Sequence, residues 1–190
     1  CAFAADNGIF TSRSELAADE AIARAKQFET DGANAIFIMA TADYSFDRYI
    51  ELSTAIRTAL KPETVMIANC GDFSRGQASK LASIGYTGIY HAIRLGEGTD
   101  TRIPVETRWK TIHAAREAGL SIGTCLEPVG PEHTIEELVE KTIMTRDIKP
   151  AYSGSARRIS IPGTTLAQHG MVSEYRMALY VAIVRLAVGY

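Results

Sequence analysis

The stretch "NAIFIMA" (residues 34–40) is a continuous apolar run rich in β-branched and aromatic residues, which is typical of a strand buried on both faces of a parallel sheet. The segment before it, residues 14–32, has acidic residues early, apolar residues at helical spacing and Gly32 at its end. It predicts a helix capped by Thr11 or Ser12. A helix followed by a buried strand begins an alternation that continues through the chain.

This alternation comprises five predicted strands and six predicted helices. Repeated β-α units indicate a parallel sheet covered by helices and joined by right-handed crossovers. After the first pair, strands are predicted at residues 64–69, 88–93, 121–127 and 157–163, and helices at 45–60, 74–85, 105–119, 134–147 and 171–189.

Two α/β architectures fit this alternation. A doubly wound sheet normally carries a glycine-rich turn after its first strand, and "FIMATADYS" (residues 37–45) has none. Polar residues instead follow every predicted strand, as in a (β/α) barrel. A complete barrel takes roughly 250 residues. We therefore expect a partial TIM-like barrel in which strands two to six are visible and the first is missing, with residues 1–190 forming one domain of a longer chain.

Composition restricts the class of partner. The formal net charge is -2 and no run of Lys or Arg occurs, so nothing favours nucleic acid or an anionic membrane surface. The apolar stretches are too short, or too interrupted by Arg, to span a bilayer. An odd count of three cysteines indicates reduced thiols. We expect a cytoplasmic protein with a small-molecule partner.

The most informative polar residues follow the strand predicted at residues 88–93. Arg94 and Arg108 carry planar guanidinium groups suited to a bidentate carboxylate, and Glu97 is an acceptor for an ammonium or for ribose hydroxyls. Together they suit the amino-acid part of a ligand. The alternative is that Arg94 and Glu97 pair with each other while Arg108 is a solvated helix residue.

Several further side chains are candidates for a substrate pocket, although the sequence does not choose among them. Glu127 ends a predicted strand just before Pro128, and in a barrel this position lies at the mouth. An alternative enzyme class is a metal-independent barrel lyase or aldolase using Glu127 or His91 as its base. The pocket candidates are Tyr90, His91, Cys125, Glu127 and Arg158.

Four stretches together resemble a known family: residues 32–40, 82–100, 106–138 and 159–167, with the segment around "AREAGL" (residues 115–120) the most specific. The sequence resembles the radical S-adenosylmethionine (SAM) superfamily in its biotin-synthase-like branch. That branch includes biotin synthase, the iron-iron hydrogenase maturase, methylornithine synthase and the maturase for the guanylylpyridinol cofactor of iron-only hydrogenase. The Asn-Asp pair of biotin synthase is missing, which argues against that enzyme itself.

The resemblance implies a 4Fe-4S cluster held by a CxxxCxxC-type loop and a bound SAM. Cys1 matches the third cysteine of that loop, and two more are expected just upstream of it. Arg108 resembles the arginine that binds the SAM carboxylate, and Glu97 an acid near the SAM ribose or amino group. The other implied cofactor-binding residues are Arg94, Asp43 as the nearest substitute for an amine-binding acid, Gly163 and Thr164 beside the adenosine, and Ile161 packed nearby.

The implied activity is cleavage of SAM by the reduced cluster, which starts radical chemistry on a small substrate. The resemblance places this in cofactor or hydrogenase-cofactor biosynthesis, with ferredoxin or flavodoxin as electron donor. No residue is assigned as catalytic. A non-enzymatic alternative is that the chain is a stable core that binds no cluster.

Overall fold

The computed structural model describes residues 15–189. In this part of the chain five strands form one sheet in the order β1-β2-β3-β4-β5, and the pairs β1–β2, β2–β3 and β4–β5 are parallel. A sequential order is that of a barrel wall, whereas a doubly wound sheet reverses direction at a switch point. The elements are α1 (Ala18–Thr30), β1 (Ala35–Met39), α2 (Phe46–Ala59), β2 (Val65–Asn69), α3 (Arg75–Ser83), β3 (Gly88–Tyr90), α4 (Val105–Glu117), β4 (Ser121–Val129), α5 (Ile135–Asp147), β5 (Tyr152–Arg157), a 3₁₀ helix (Thr165–His169) and α6 (Glu174–Val188).

The prediction for the last strand is wrong. The sequence predicts it at residues 157–163, but β5 is Tyr152–Arg157 and pairs with β4 from Gly123 to Val129. The prediction followed the apolar residues after β5, yet Ile159 is 67% exposed. The strand itself is made of small and polar residues, which backbone pairing with β4 holds in place.

The prediction that β1 is buried on both faces is also wrong. Ile36 and Ile38 are buried, whereas Phe37 is 46% and Met39 69% exposed. The strand therefore buries one face only. Before it, α1 starts at Ala18 without a side-chain cap, and the predicted caps Thr11 and Ser12 lie outside the described residues.

Contacts divide the chain into two compact units, of which the first comprises residues 15–90 and 113–121. Its interior holds a chain of hydroxyl groups. Tyr49 Oη donates to the carbonyl of Ile38 at 2.8 Å, and Tyr86 Oη donates to Tyr49 Oη at 2.9 Å. Because the hydroxyl proton of Tyr86 is used in the bond to Tyr49, Tyr86 Oη accepts from Ser53 Oγ, and these two oxygens are 2.7 Å apart.

The second unit comprises residues 91–112 and 122–189. Its core joins Leu126 and Val129 of β4, Leu138 of α5 and Val184 of α6, with Leu95 and Val172 from the connecting segments. In the described part of the chain, no helix combines the length and the apolar character that crossing a membrane requires. That residues 1–190 form one domain stays a prediction.

Candidate functional site

The segment after β3 runs beside β4 within the second unit. The backbone N–H of His91 donates to the Gly123 carbonyl at 2.9 Å, and that of Leu95 donates to the Glu127 carbonyl at 2.7 Å. These bonds continue the strand pairing beyond β3 and fix Arg94 beside Glu127 near the carboxyl end of β4. Polar side chains of the two segments are thereby brought together.

Arg108, in the first turns of α4, forms a buried ion pair with Glu97. The distances are 3.1 Å from Nε to Oε2 and 3.4 Å from Nη2 to Oε1, and the two side chains are 5% and 0% exposed. Glu97 also accepts from Thr101 Oγ1 at 2.5 Å and from the Arg94 backbone N–H at 3.2 Å. Burial alone would raise the pKa of Glu97, but the hydrogen bonds from Thr101 and Arg108 outweigh it and hold that pKa below its ordinary value.

The observed ion pairs differ from the alternative in which Arg94 pairs with Glu97 and Arg108 is solvated. Glu97 pairs with Arg108 rather than with the Arg94 side chain, and Arg108 is buried rather than solvated. The Arg94 guanidinium instead pairs with Glu127, at 3.5 Å from Nε to Oε1, with both side chains partly exposed. Two arginine–carboxylate pairs thus lie at this site, one buried and one partly exposed.

Arg158, a predicted pocket residue, binds Glu132 through both terminal nitrogens, with 2.8 Å from Nη2 to Oε2. Nη2 also donates to the Leu166 carbonyl at 3.3 Å. The guanidinium lowers the pKa of Glu132 to about 2. Arg158 therefore joins the loop after β4 to the 3₁₀ helix.

The residues predicted to border an adenosine lie in a turn just before that 3₁₀ helix. Thr164 donates to the Ile161 carbonyl through its backbone N–H at 3.1 Å and through Oγ1 at 2.8 Å. Gly163 is exposed and has φ +87°, a conformation that favours glycine. The turn is built as a compact exposed loop, and its predicted contact with adenosine stays a prediction.

The remaining predicted residues are divided between the two units, and one of them lies outside the described residues. His91 and Cys125 are buried in the second unit. Asp43, exposed in the turn after β1, and Tyr90, half-buried at the end of β3, belong to the first unit. Cys1 lies outside the described residues. The roles assigned to these side chains stay predictions.

One charged residue near this loop was not predicted. Lys141 of α5 is buried, and its pKa falls to about 8 because burial outweighs the opposing effects of Glu97 and Glu127. A signal was present in the sequence, since Lys141 lies three residues after Leu138 and four before Thr145, on the helix face turned to the core. A lysine at a core-facing position of a helix is unusual.

The described residues offer no iron-sulfur site. Between residues 15 and 189 no group of three or more His, Cys, Asp or Glu side chains is placed to hold a metal ion. Neither Cys70 nor Cys125 forms a disulfide, and burial followed by the charge of Asp72 raises the pKa of Cys70 to about 12. A protonated thiol is a poor ligand, so the described residues do not fit the cluster.

Solved structures share this fold. Methylornithine synthase (PylB) matches with a TM-score of 0.80 and 14% identity, over 95% of this chain and 56% of that one. HydG, a maturase of the FeFe-hydrogenase, matches with a TM-score of 0.75 and 14% identity, over 95% and 45%. Coproporphyrinogen III oxidase (HemN) from Escherichia coli, a radical SAM enzyme, matches with a TM-score of 0.63 and 14% identity, over 98% and 48%.

These likenesses define the class of fold, a partial TIM-like barrel of the kind found in radical SAM enzymes. The predicted fold class and the resemblance to that superfamily are confirmed at the level of the fold. The chain spans about half the length of the solved chains it matches. No protein-family model matches the sequence, and no curated protein matches it.

Proposed function

We propose that this chain is part of a radical SAM enzyme that acts on a small molecule, in cofactor or hydrogenase-cofactor biosynthesis. The observation that carries the proposal is the buried Arg108–Glu97 pair, on the loop after β3 and the first turns of α4, in a barrel of this kind. An arginine whose fork is oriented by a buried carboxylate is suited to bind the carboxylate of an amino acid.

In this proposal Arg108 binds the SAM carboxylate and Glu97 positions Arg108. The pair with Glu97 uses two of the five N–H donors of the guanidinium, through Nε and Nη2. Because Glu97 is fully buried, its role is to orient the arginine and balance its charge rather than to contact the ribose. Arg94, Asp43, Ile161, Gly163 and Thr164 are the further proposed contacts to SAM.

The iron-sulfur cluster is proposed from the resemblance and not from the described residues. Cys1 is the proposed ligand, and ferredoxin or flavodoxin the proposed electron donor. A cluster held there would supply the electron for cleavage of SAM. The chain's own contribution is to hold the SAM carboxylate at Arg108 and to shield that ion pair from water.

The test uses the full-length protein, including the residues expected upstream of Cys1, reconstituted with iron and sulfide without oxygen. We expect absorbance of an iron-sulfur cluster, and 5′-deoxyadenosine after reduction in the presence of SAM. Absence of both would contradict the radical SAM proposal. It would favour the cluster-independent lyase with Glu127 or His91 as base, or the inactive core.

A second measurement tests Arg108 without turnover. Trp109, the only tryptophan in the sequence, follows Arg108, so its fluorescence can report SAM binding. Arg108→Lys should weaken SAM binding by about 10- to 100-fold, because a charge-assisted bidentate contact is worth about 1.5–3 kcal/mol. The control is Arg102→Lys, an exposed position in the same loop. Equal SAM affinity in both variants would exclude Arg108 as the carboxylate ligand.

A further inference from the structure

Lys141 is a buried ammonium whose only hydrogen bond among the described residues goes to a thioether. The residue is 6% exposed, and Nζ lies 3.5 Å from Sδ of Met144 on the same helix. A thioether sulfur is a weak acceptor. Burying an ammonium without a strong acceptor costs free energy, so the position is unfavourable for the fold by itself.

Lys141 lies on a helix that packs against the segments carrying two ion pairs, since Leu138 of α5 shares one core cluster with Leu95, after β3, and Leu126 of β4. Glu97 and Glu127 favour its charged form and Arg94 opposes it. These groups come from the loop after β3 and from β4, whereas Lys141 comes from α5. Three segments of the second unit therefore bring charged groups to one region.

Each of the two carboxylates already has its own arginine. Glu97 pairs with Arg108, and Glu127 pairs with Arg94. Among the described residues, Lys141 is therefore the cation of this cluster that has no carboxylate paired with it.

A purely structural lysine would not be arranged in this way. A methionine or leucine at this core-facing position would pack beside Leu138 without the cost of a buried charge. Buried charges that do not help the fold are concentrated at binding and catalytic sites. The arrangement therefore indicates a negatively charged partner for Lys141.

We infer that the ammonium of Lys141 binds a carboxylate group of a small-molecule ligand beside the Arg94–Glu127 pair. A singly charged group balances the one charge of Lys141, whereas a phosphate dianion would introduce excess negative charge next to Glu97 and Glu127. The inference deepens the proposed function, on which it rests, by assigning the substrate to the carboxylate-bearing class. This subsite is separate from the Arg108 guanidinium that is proposed to hold SAM.

The experiment measures the pKa of Lys141 by NMR of ¹³C- and ¹⁵N-labelled lysine side chains, with the Lys141 signal assigned by its loss in Lys141→Met. Acetate is the probe, with chloride at equal ionic strength as the reference. A ligand that binds only the charged form raises the pKa by about one unit when it is tenfold above its Kd. We expect this rise for Lys141 and none for the other five lysines.

The outcomes separate the alternatives. A rise with phosphate but not with acetate would overturn the carboxylate class, and no rise with either would overturn the subsite itself. The titration uses neither cluster nor SAM, so a failure to form deoxyadenosine would contradict the proposed function without changing this result.

Thermal unfolding of two variants gives an independent check. Lys141→Met should keep or raise the Tm of the ligand-free protein, because it removes a poorly compensated buried charge, and should abolish any rise in Tm with acetate. Lys110→Met, at an exposed position of α4, should retain the acetate effect. A fall in the ligand-free Tm confined to Lys141→Met would show that Lys141 is structural and would overturn the inference.

Discussion

Arg158 illustrates how one guanidinium holds several segments together. It lies just after β5, pairs with Glu132 of the loop after β4 and donates to the Leu166 carbonyl in the 3₁₀ helix. Both charged side chains are mostly buried, so solvent screens the pair less than a surface ion pair. Arg158 is thus engaged in positioning the turn that contains Gly163 and Thr164.

This pair predicts a pH dependence of stability. The pKa of Glu132 is about 2 in the folded protein against an ordinary 4.5. Because the folded value is the lower one, the stabilisation is present above about pH 4.5 and is lost as the pH falls towards 2. Glu132→Gln should lower the free energy of unfolding at pH 7 by about 1–3 kcal/mol and should flatten its decline in acid.

Urea unfolding at a series of pH values checks this expectation. Glu140→Gln is the matched control, since Glu140 is an exposed residue of α5 outside the pair. If Glu132→Gln and Glu140→Gln decline in acid as steeply as the unchanged protein, the Glu132–Arg158 pair does not set the acid limit of stability.

At the scale of single residues, the sequence indicated which charged side chains lie near one another but not which of them pair. Arg94, Glu97 and Arg108 were expected to lie together because they follow one strand and begin the next helix. Which of the two arginines pairs with Glu97 depends on the path of the loop between β3 and α4. The periodicity of the sequence does not encode that path. Lys141 was not predicted because it lies on the buried face of α5, whereas the barrel pattern indicates functional residues at the ends of strands.

At the scale of elements, β5 was misplaced because its sequence lacks the usual strand pattern. "YSGSAR" carries small and polar residues, and its place is set by pairing with β4. The helices were predicted better, because the spacing of their apolar residues and their capping residues both indicate a helix. Ser45, Ser74, Thr134 and Ser173 each accept a hydrogen bond at a helix N-terminus, and those of α3 and α5 are full capping boxes.

The pairing of β4 with β5 depends on one glycine. Gly123 lies opposite Tyr152, and a Cβ at residue 123 would come within 1.8 Å of the Tyr152 ring. Gly123→Ala must displace that ring and should cost about 1–3 kcal/mol of unfolding free energy, as overpacking in a core does.

The neighbouring strand supplies the control for this substitution. Gly154 lies in β5, and a Cβ there would meet nothing within 4 Å. We expect Gly154→Ala to leave the free energy of unfolding, measured with urea, within about 0.5 kcal/mol of that of the unchanged protein. Equal effects of the two alanine substitutions would mean that the Tyr152 ring does not need the space above Gly123.

At the scale of the whole molecule, α6 has apolar residues on two faces. Met177, Tyr180 and Val188 pack against the core of the second unit together with the buried Val184. Leu179 and Leu186, by contrast, are exposed, the latter by 84%. Exposed apolar residues on a helix offer a hydrophobic surface beyond the one that packs on its own core.

This exposure predicts binding of a hydrophobic fluorescent dye to the folded protein. Replacing both Leu179 and Leu186 with Gln should reduce dye fluorescence by about half, because these residues provide much of the exposed apolar stripe of α6. Arg176→Gln, on the same helix, should leave the fluorescence unchanged. Equal fluorescence in all variants would place the dye elsewhere.

The overall architecture was the most predictable level. The alternation of helices and strands specified a parallel α/β barrel, and solved barrels at 14% identity share it. Alternation survives such divergence because it requires only apolar residues at the right period. Burial of single positions, such as Phe37, depends on which elements cover the sheet, and the strand's own sequence does not contain that information.

The loop that carries Glu97 is tied to itself by Thr101. Besides donating to Glu97, Thr101 Oγ1 accepts from the backbone N–H groups of Gly98 at 3.3 Å and Ile103 at 3.4 Å. The conformational entropy of this segment is therefore already lost when the protein folds. A ligand that bound at Arg108 would meet a loop that is already ordered, and its association should carry little of the entropic penalty that a flexible lid imposes.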